Sequence, residues 1–279
     1  MVVVKATTAM GGEPRGQRIF DGELIVFRAL DAMRLLVARA DTMIRAAFTP
    51  HDPLTAHTKL APAAYADIAE GPIAAFAKDA GVADSYQAAL VAAGVDPGRV
   101  YWDRLRLRIQ PPGDSHMSRR VVNLAPHRDT WGSNVLAQHN WWAPIYPITA
   151  KRTLILYPAH WRQAIANTSG DWDYHELLTR RQAGDDSYPL LPVATGRVDD
   201  GNAWPRDINP GDLLCFSGAH LHASVPNTTP QTRFSTEVRT VCLDDLRHGC
   251  GAPNVDGAAP RQPLEWFNRM ADGAPLVST

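Results

Sequence analysis

The pattern of apolar residues changes about one third of the way along the chain, and this change limits the possible folds more than any other feature. Before it, the apolar residues of Leu24–Phe48 recur with a period close to 3.6, which predicts a helix. Ala61–Ala93 is rich in alanine and broken at Gly71 and Gly81, which predicts two or three short helices. After the change, Val100–Ile109 includes strict alternation of apolar and polar residues, the pattern of a strand with one buried face.

Short strand-like segments continue to about residue 245, with turn signals such as Asn209-Pro210-Gly211-Asp212 between them. The further candidate strands are Arg120–Ala125, Asn134–Ile145, Thr153–Tyr157, Leu190–Thr195, Asp212–Ser217 and Phe234–Leu243. Many short strands preceded by helices predict a mainly β fold with flanking helices, of the α+β class, with a double-stranded β-helix (jelly-roll, cupin-like) core. We expect a single domain over residues 1–279, with a helical region at about 20–95, the jelly-roll core at about 100–245 and a C-terminal extension at 246–279.

The polar, tryptophan-containing segment 158–189 interrupts the series of strands. We expect it to be helical around Tyr174–Ala183 and to lie where an insertion or a lid would sit. A second short helix is expected at Leu264–Met270, within the C-terminal extension.

Composition excludes several classes of partner. The net charge is −1 with scattered Lys and Arg, so there is no basic surface for nucleic acid or an anionic membrane. No uncharged run approaches the roughly 20 residues that span a bilayer, and the N-terminal sequence lacks the charge order of a secretory signal. Three cysteines without a CxxC pair favour a reducing compartment. We therefore expect a cytoplasmic protein with a small-molecule substrate, and its oligomeric state stays open.

Two short stretches carry candidate metal ligands. His127 and Asp129 are two residues apart, so on a strand both side chains would face the same side. The second stretch, Gly218–Asn227, offers His220 or His222 as a further ligand. Two imidazoles and one carboxylate, with the other face of the ion open, form the ligand set of non-haem Fe(II) oxygenases.

An arginine follows on the next predicted strand. Arg233 lies eleven residues after His222, and Ser235 shares its face of the strand. An inward-facing guanidinium binds a carboxylate through two parallel hydrogen bonds, and the serine hydroxyl adds a third. The alternative is an arginine at a solvated strand edge, paired with Glu237 or an acidic loop.

Together these motifs resemble the phytanoyl-CoA dioxygenase-like branch of the Fe(II)/2-oxoglutarate oxygenases, over roughly residues 100–243. The segment His222-Ala223-Ser224-Val225-Pro226-Asn227, with Arg233 eleven residues after its histidine, matches the family pattern H-x-S-x-x-N followed by arginine. The resemblance implies Fe(II), 2-oxoglutarate and O2, with the metal held by His127, Asp129 and His222 rather than His220. It also implies that the residues around 2-oxoglutarate are Arg233, Ser235, Ser224 and Gln110.

The function implied by the resemblance is an Fe(II)- and 2-oxoglutarate-dependent dioxygenase that oxidises a C–H bond of a small metabolite or natural-product intermediate, releasing succinate and CO2. Hydroxylation is the default outcome, while desaturation, ring closure and epimerisation begin from the same chemistry. The candidate substrate contacts are Arg108, Trp131, Asn140 and Trp142.

Several alternatives stay open from the sequence. Arg106 and Arg108 share one face of their strand, and this face either lines the interior or meets solvent. On a later strand, Asn140 and Trp142 share one face and Trp141 lies on the other, and one of these two faces lines the pocket. We expect three further histidines, His139, His160 and His175, on solvated or loop positions without a role. The rival functions are a cupin-like metal-dependent isomerase or zinc hydrolase that uses His220 with His222, and a non-catalytic ligand-binding β-sandwich.

Overall fold

The computed structural model describes residues 2–118, 120–198 and 208–277. Its strands are β1 (Val3–Ala6), β2 (Leu24–Phe27), β3 (Val100–Trp102), β4 (Arg106–Gln110), β5 (Gln138–Pro144), β6 (Leu154–Leu156), β7 (Leu213–Ser217), β8 (His222–Ser224), β9 (Arg233–Cys242) and β10 (Asn268–Arg269). Its α-helices are α1 (Gly12–Phe20), α2 (Asp31–Phe48), α3 (Pro62–Phe76), α4 (Ala80–Ala92), α5 (Thr130–Ser133), α6 (Tyr174–Gln182) and α7 (Leu243–Arg247). Short 3-10 helices occur at Ala56–Thr58, Pro158–Trp161 and Leu264–Trp266.

Eight strands form one large sheet in the order β1-β2-β7-β5-β9-β3-β10, with β4 also paired to β9. Only β1 and β2 pair in parallel; the other pairs are antiparallel. The ten-residue β9 pairs with β5 along one edge, and with β4 and then β3 along the other. Strands β6 and β8 form a small second sheet.

The large sheet has two different faces. Its outer face packs against helices α2, α3 and α4 through residues such as Trp141, Phe234 and Val238. Its inner face meets the small sheet, because Trp142 and Phe216 cluster with Leu156 of β6. The result is a helical layer, a large sheet and a small sheet, in which alternate residues of each strand serve different layers. The prediction of an α+β fold with a two-sheet β core behind N-terminal helices is confirmed.

The helices follow the apolar spacing of the sequence. In α2 the buried side chains recur every three or four residues, and they are Met33, Leu36, Ala40, Ile44 and Phe48. Helix α3 begins with Pro62 in its first turn, where the missing N–H costs nothing. Helix α4 begins after Asp79, whose side chain accepts a hydrogen bond from Val82 N at 2.8 Å.

Three expectations for the helical region need correction. Leu24–Phe27 is not the start of a helix but strand β2, which pairs with β1 and β7. All four apolar side chains are buried, two on each face of the sheet, as in a strand covered on both sides. The helical region also begins earlier than residue 20, since α1 starts at Gly12, and strand β1 precedes it. Gly71 lies inside α3, so the chain does not break there.

The predicted strands are confirmed in part. Segments close to β6, β7 and β9 were expected, and α6 agrees with the predicted helix in the insertion. Val100–Ile109 is two strands instead of one, and β5 begins only at Gln138 because α5 occupies the residues before it. Leu264–Met270 is a 3-10 turn followed by β10, which pairs with β3 and so attaches the C-terminal extension to the sheet.

Two predicted strands do not form. Arg120–Ala125 is an irregular segment that runs beside β8, where Ser224 N donates to Leu124 O at 2.9 Å. Leu190–Thr195 is also irregular, apart from an isolated bridge between Asn167 and Ala194. Pro126 and Pro192 lack the N–H that a continuous ladder would use. Across the described residues, the helices are too short or too polar to cross a membrane.

Candidate metal centre

Three of the predicted ligands, His127, Asp129 and His222, meet beside the small sheet and are called the triad below. His127 Nε2 lies 3.9 Å from Asp129 Oδ1, and His222 Nε2 lies 4.0 Å from Asp129 Oδ2. One ligand atom from each residue lies within 4.8 Å of the others. Two backbone hydrogen bonds of 2.9 Å join His127 to His222 and extend the edge of β8 by one bridge. Asp129 was expected on a strand, but it directly precedes helix α5.

The orientation of both imidazole rings suits a metal. Nδ1 of His127 lies 2.7 Å from Ala125 O, and Nδ1 of His222 lies 2.9 Å from His220 O. A carbonyl oxygen only accepts a hydrogen bond, so in each ring Nδ1 carries the proton and Nε2 keeps a lone pair. This arrangement of a ligating ring whose other nitrogen donates to a backbone carbonyl is typical of metal-binding histidines.

The carboxylate of Asp129 is held on both sides. Asn140 Nδ2 donates to Asp129 Oδ2, and Gln138 Nε2 donates to Asn140 Oδ1 at 2.8 Å, which fixes the orientation of the Asn140 amide. On the other side, Arg239 Nη1 lies 3.8 Å from Asp129 Oδ1. Asn140 and Arg239 are opposite each other in the register of β5 and β9, so one cross-strand pair supports the carboxylate from both sides.

Burial and neighbouring charges set the protonation of the site. Burial, followed by the proximity of His222, lowers the pKa of His127 to about 4. Burial alone would raise the pKa of Asp129, but Arg239, the two histidines and Asn140 outweigh it and lower that pKa to about 2. At neutral pH His127 is therefore uncharged and Asp129 ionised, which are the forms that bind a cation.

A buried arginine lies further along the same wall. Arg233 is 5% exposed; its Nη1 donates to Thr153 O at 2.7 Å and its Nη2 to Ser224 Oγ at 3.4 Å. Burial lowers the pKa of Arg233 to about 10, so the guanidinium keeps its charge at neutral pH. Ser224 is two residues after His222 on β8, which places the arginine about 7 Å along the strand from the triad.

Four polar atoms around Arg233 are buried without a hydrogen-bond partner among the described residues. They are Arg233 Nε, Ser235 Oγ, Thr153 Oγ1 and Gln110 Oε1. The register of β4 and β9 places Gln110 opposite Arg233, with Ser235 two residues further on. Because buried polar groups are normally paired, these atoms indicate a binding site for a polar group; the guanidinium and the two hydroxyls are donors suited to a carboxylate.

The triad and Arg233 line one cavity of about 380 Å³, within the usual range for small-molecule sites. The arginines of β4 also line it, so the alternative in which Arg106 and Arg108 face solvent does not apply. Asn140 and Trp142 lie on the cavity side of β5. Trp141 belongs to the helical side, where its Nε1 donates to Thr240 Oγ1 at 2.8 Å. The insertion contributes part of the apolar lining of the cavity through Trp172, Tyr174, Leu177 and Leu178. The rest comes from Leu190, Leu191 and Pro192, directly after the insertion, and from residues elsewhere in the chain, which include Val122, Leu124, Trp142, Leu154, Phe216 and Trp266.

Some predicted contacts lie elsewhere. Trp131 does not line the cavity: it is fully buried in a separate apolar cluster, and its Nε1 donates to Asp256 Oδ1 at 2.7 Å. Gln110 and Ser235 are also absent from the lining, although both lie beside Arg233; Gln110 Nε2 donates to Val225 O at 3.0 Å. Arg108, rather than Arg233, pairs with Glu237, at 2.6 Å. The amide of Asn140 donates its hydrogen bond to Asp129.

The other histidines are distinguished from the ligands by their partners. His220 is buried; its Nδ1 lies 3.2 Å from Ser217 O, its Nε2 lies 3.2 Å from Gly22 O, and its ring packs on Trp161 at 4.3 Å. It is therefore outside the triad, in agreement with the choice of His222. His139 is buried in strand β5, so the expectation of a solvated or loop position is wrong for it. His160 is also buried, within the short 3-10 helix Pro158–Trp161, whereas His175 is exposed.

The sequence did not reveal two interactions that support the triad. Arg128, between the two ligands, pairs with Asp256 of the C-terminal extension at 3.0 Å and donates to Ala219 O and His160 O. This buried pair joins the triad to the β7–β8 turn and the insertion. The second interaction is the contact of Arg239 with Asp129. Its position two residues after Glu237 on the Arg233 face of β9 was the available signal.

No protein-family model matches the chain, and no curated protein sequence is significantly similar to it. Among solved structures, similarity is found to the epimerase SnoN in complex with Fe3+, alpha ketoglutarate and nogalamycin RO (15% identity, 95% of each chain covered, TM-score 0.43). The non-heme monooxygenase ThoJ (16% identity, 81% of this chain and 76% of that one, TM-score 0.42) and CytC3 with Fe(II) and alpha-ketoglutarate (11% identity, 85% and 79%, TM-score 0.40) are similar to a comparable degree. With similarities this low, the function has to follow from the residues of this chain.

Proposed function

We propose that this protein is a non-haem Fe(II)- and 2-oxoglutarate-dependent oxygenase acting on a small molecule. The observation that carries the proposal is the combination, in one cavity, of a His127–Asp129–His222 triad and a buried arginine with unpaired donors beside it. Three protein ligands leave part of the metal's coordination sphere open for other molecules. A dicarboxylate fits between the two features, with one end at the metal and the other at Arg233.

The donor set also suits the metal and the co-substrate separately. Two imidazole nitrogens and one carboxylate are the facial ligand set of Fe(II) oxygenases. When bound, iron and 2-oxoglutarate supply oxidising power from dioxygen, with succinate and CO2 as by-products. The protein holds the far carboxylate through Arg233, Ser235 and Ser224, and excludes water with the apolar wall of the insertion.

Hydroxylation of a C–H bond is the reaction we propose, on a metabolite or natural-product intermediate that fits the cavity. Asp129 supports it over halogenation, which generally needs the carboxylate position to be vacated for halide. Desaturation, cyclisation and epimerisation use the same groups, so the bond that the cavity presents to the metal decides among them.

The rival functions lack support in the site. A zinc hydrolase or isomerase built on His220 and His222 would need both rings at the metal, but the ring nitrogens of His220 contact backbone carbonyls. Such an enzyme would also give no task to the buried donors near Arg233. A non-catalytic β-sandwich does not require three metal-ligating side chains directed at one point.

The test is oxygen consumption coupled to succinate formation. We expect the wild type with Fe(II) and ascorbate to convert 2-oxoglutarate to succinate slowly without substrate, and Asp129→Ala to abolish the reaction. Arg233→Ala should raise the 2-oxoglutarate concentration needed for half-maximal rate by at least tenfold, because charge-assisted bonds are the strong ones. An activity that requires zinc, or a rate unaffected by both substitutions, would contradict the proposal.

A further inference from the structure

The cavity wall next to the triad carries more positive than negative side chains. Three arginines, Arg106, Arg108 and Arg239, face the cavity there. Glu237 pairs with Arg108, with Nη2 2.6 Å from Oε1. Asp103 is shared, because Arg106 Nη1 lies 2.7 Å and Arg239 Nε 2.6 Å from the same Oδ2. Two carboxylates therefore serve three guanidinium groups.

Occupying the metal site does not remove this excess. A divalent metal and Arg233 together carry three positive charges, which Asp129 and a 2-oxoglutarate dianion balance. The pair Arg106 and Arg239 then keeps one positive charge more than Asp103 neutralises. An excess charge in a partly buried wall costs free energy unless an anion is near.

Both guanidinium groups have donors left for such an anion. Among the described residues, Nε and Nη2 of Arg106 have no protein acceptor, and neither has Nη2 of Arg239. These nitrogen atoms are not fully buried, and both side chains line the cavity, so the atoms are open to it. The side chains of Arg106 and Arg239 are 16% and 17% exposed, and each is anchored by Asp103.

An apolar surface lies close to this pair. The guanidinium of Arg239 stacks on Trp266 with 4.9 Å to the ring centroid, and Tyr174 meets Trp266 edge-on at 4.7 Å. Trp172 and Leu177 continue the same wall of the cavity. Cations and hydrophobic surface side by side recognise a molecule with one charged group and an apolar body.

We propose that the substrate is an organic anion whose negative group binds Arg106 and Arg239 and whose apolar body lies against Trp266, Tyr174 and Leu177. This inference rests on the proposed function, which it deepens by naming the substrate class. Since Arg239 also lies 3.8 Å from Asp129, the anionic group binds on the metal side of the cavity and the body extends toward the insertion. Burial lowers the pKa of Arg106 despite Asp103 and Glu237, whereas for Arg239 burial is outweighed by Asp103 and Asp129, which raise its pKa.

The test compares two fluorescent probes with the same aromatic body, 8-anilino-1-naphthalenesulfonate and its neutral analogue N-phenyl-1-naphthylamine, on the folded protein in low-chloride buffer. We expect the sulfonate to bind the wild type at least tenfold more tightly than the neutral probe. Arg106→Gln should weaken sulfonate binding about tenfold and change neutral-probe binding less than about twofold, as for loss of a charge-assisted hydrogen bond. Arg106→Lys should keep most of the preference.

Arg247→Gln, a substitution of an exposed arginine on α7 outside the cavity, is the matched control and should change neither affinity. Equal binding of both probes to the wild type, or sulfonate binding unaffected by Arg106→Gln, would overturn the proposal. The same preparations are tested for Fe(II)-dependent 2-oxoglutarate binding. A protein that prefers the sulfonate but does not bind 2-oxoglutarate keeps its anion site and refutes the proposed function alone.

Discussion

The two faces of the large sheet are made by the same strands and do opposite things. On β9, the side chains toward the helices are Phe234, Thr236 and Val238, while those toward the cavity are Arg233, Ser235, Glu237 and Arg239. On β5, Trp141 faces the helices and Asn140 the cavity. One face therefore stabilises the fold through apolar packing, and the other positions charge at a cost that the first must cover. Because successive side chains of a strand point to opposite faces, neighbouring residues contribute to stability and to function in turn.

The largest effect should come from the helical face. Trp141→Ala removes a fully buried indole and is expected to lower the free energy of unfolding by about 3–5 kcal/mol. Trp142→Ala, one residue on, faces the cavity and should cost less, because water can enter the space it leaves. Urea unfolding of both variants measures the difference; an equal loss would contradict the division between the faces.

A pH-dependent contribution should come from the cavity face. Burial alone would raise the pKa of Glu237, but Arg108 and Arg106 outweigh it and lower that pKa to about 2. A lowered pKa in the folded state stabilises the protein above the unfolded value near 4.5, and this contribution is lost as the pH falls toward 2. Glu237→Gln should therefore cost roughly 3 kcal/mol at pH 7 and less than half as much at pH 3. Urea unfolding at the two pH values checks this; a cost independent of pH would contradict it.

A smaller effect is expected from the support of the triad. Asn140→Ala removes the donor to Asp129 Oδ2 and should weaken metal binding about 10–100-fold with little loss of stability. Titration with Co(II), followed by its visible spectrum, measures the change. Asn209→Ala, in the exposed turn before β7, is the control and should bind Co(II) like the wild type. Unchanged affinity in Asn140→Ala would show that Asp129 needs no support from β5.

The smallest effect is expected outside both faces. The exposed pair of Arg45 and Asp41 on α2 is an i,i+4 contact of 2.8 Å. Arg45→Gln should leave both the free energy of unfolding and metal binding unaltered within experimental error, because a solvent-exposed ion pair contributes little. A larger loss in thermal or urea unfolding would mean that stability is not concentrated in the helix-facing core.

The sequence predicted the layers of the fold and the cluster of His127, Asp129 and His222 better than the details. Periodicity predicted helices in the regions of α2, α3 and α4 and strands close to β7 and β9, and the family resemblance implied His222 rather than His220 as a ligand. It failed at Leu24–Phe27, where a fully buried run carries no period that separates strand from helix. It also failed at Arg120–Ala125, which has strand-like composition but lies at an irregular edge.

The residues around the site were harder to predict, since their partners are distant in sequence. The support of Arg128 by Asp256 joins positions 128 residues apart, and no local pattern announces it. Trp131 was expected near the substrate from its spacing to Asp129, but α5 turns its side chain into a separate core. Asn140 and Arg239 were brought together by strand register, which a single sequence does not specify.

The most direct test of the central claim is anaerobic titration of the protein with Fe(II) and 2-oxoglutarate, followed by the visible metal-to-ligand charge-transfer band. We expect a band for the wild type, no band for Asp129→Ala, and a band for Arg233→Ala only at much higher 2-oxoglutarate concentration. Absence of the band from the wild type, together with tight binding of zinc, would contradict a site that holds iron and 2-oxoglutarate together.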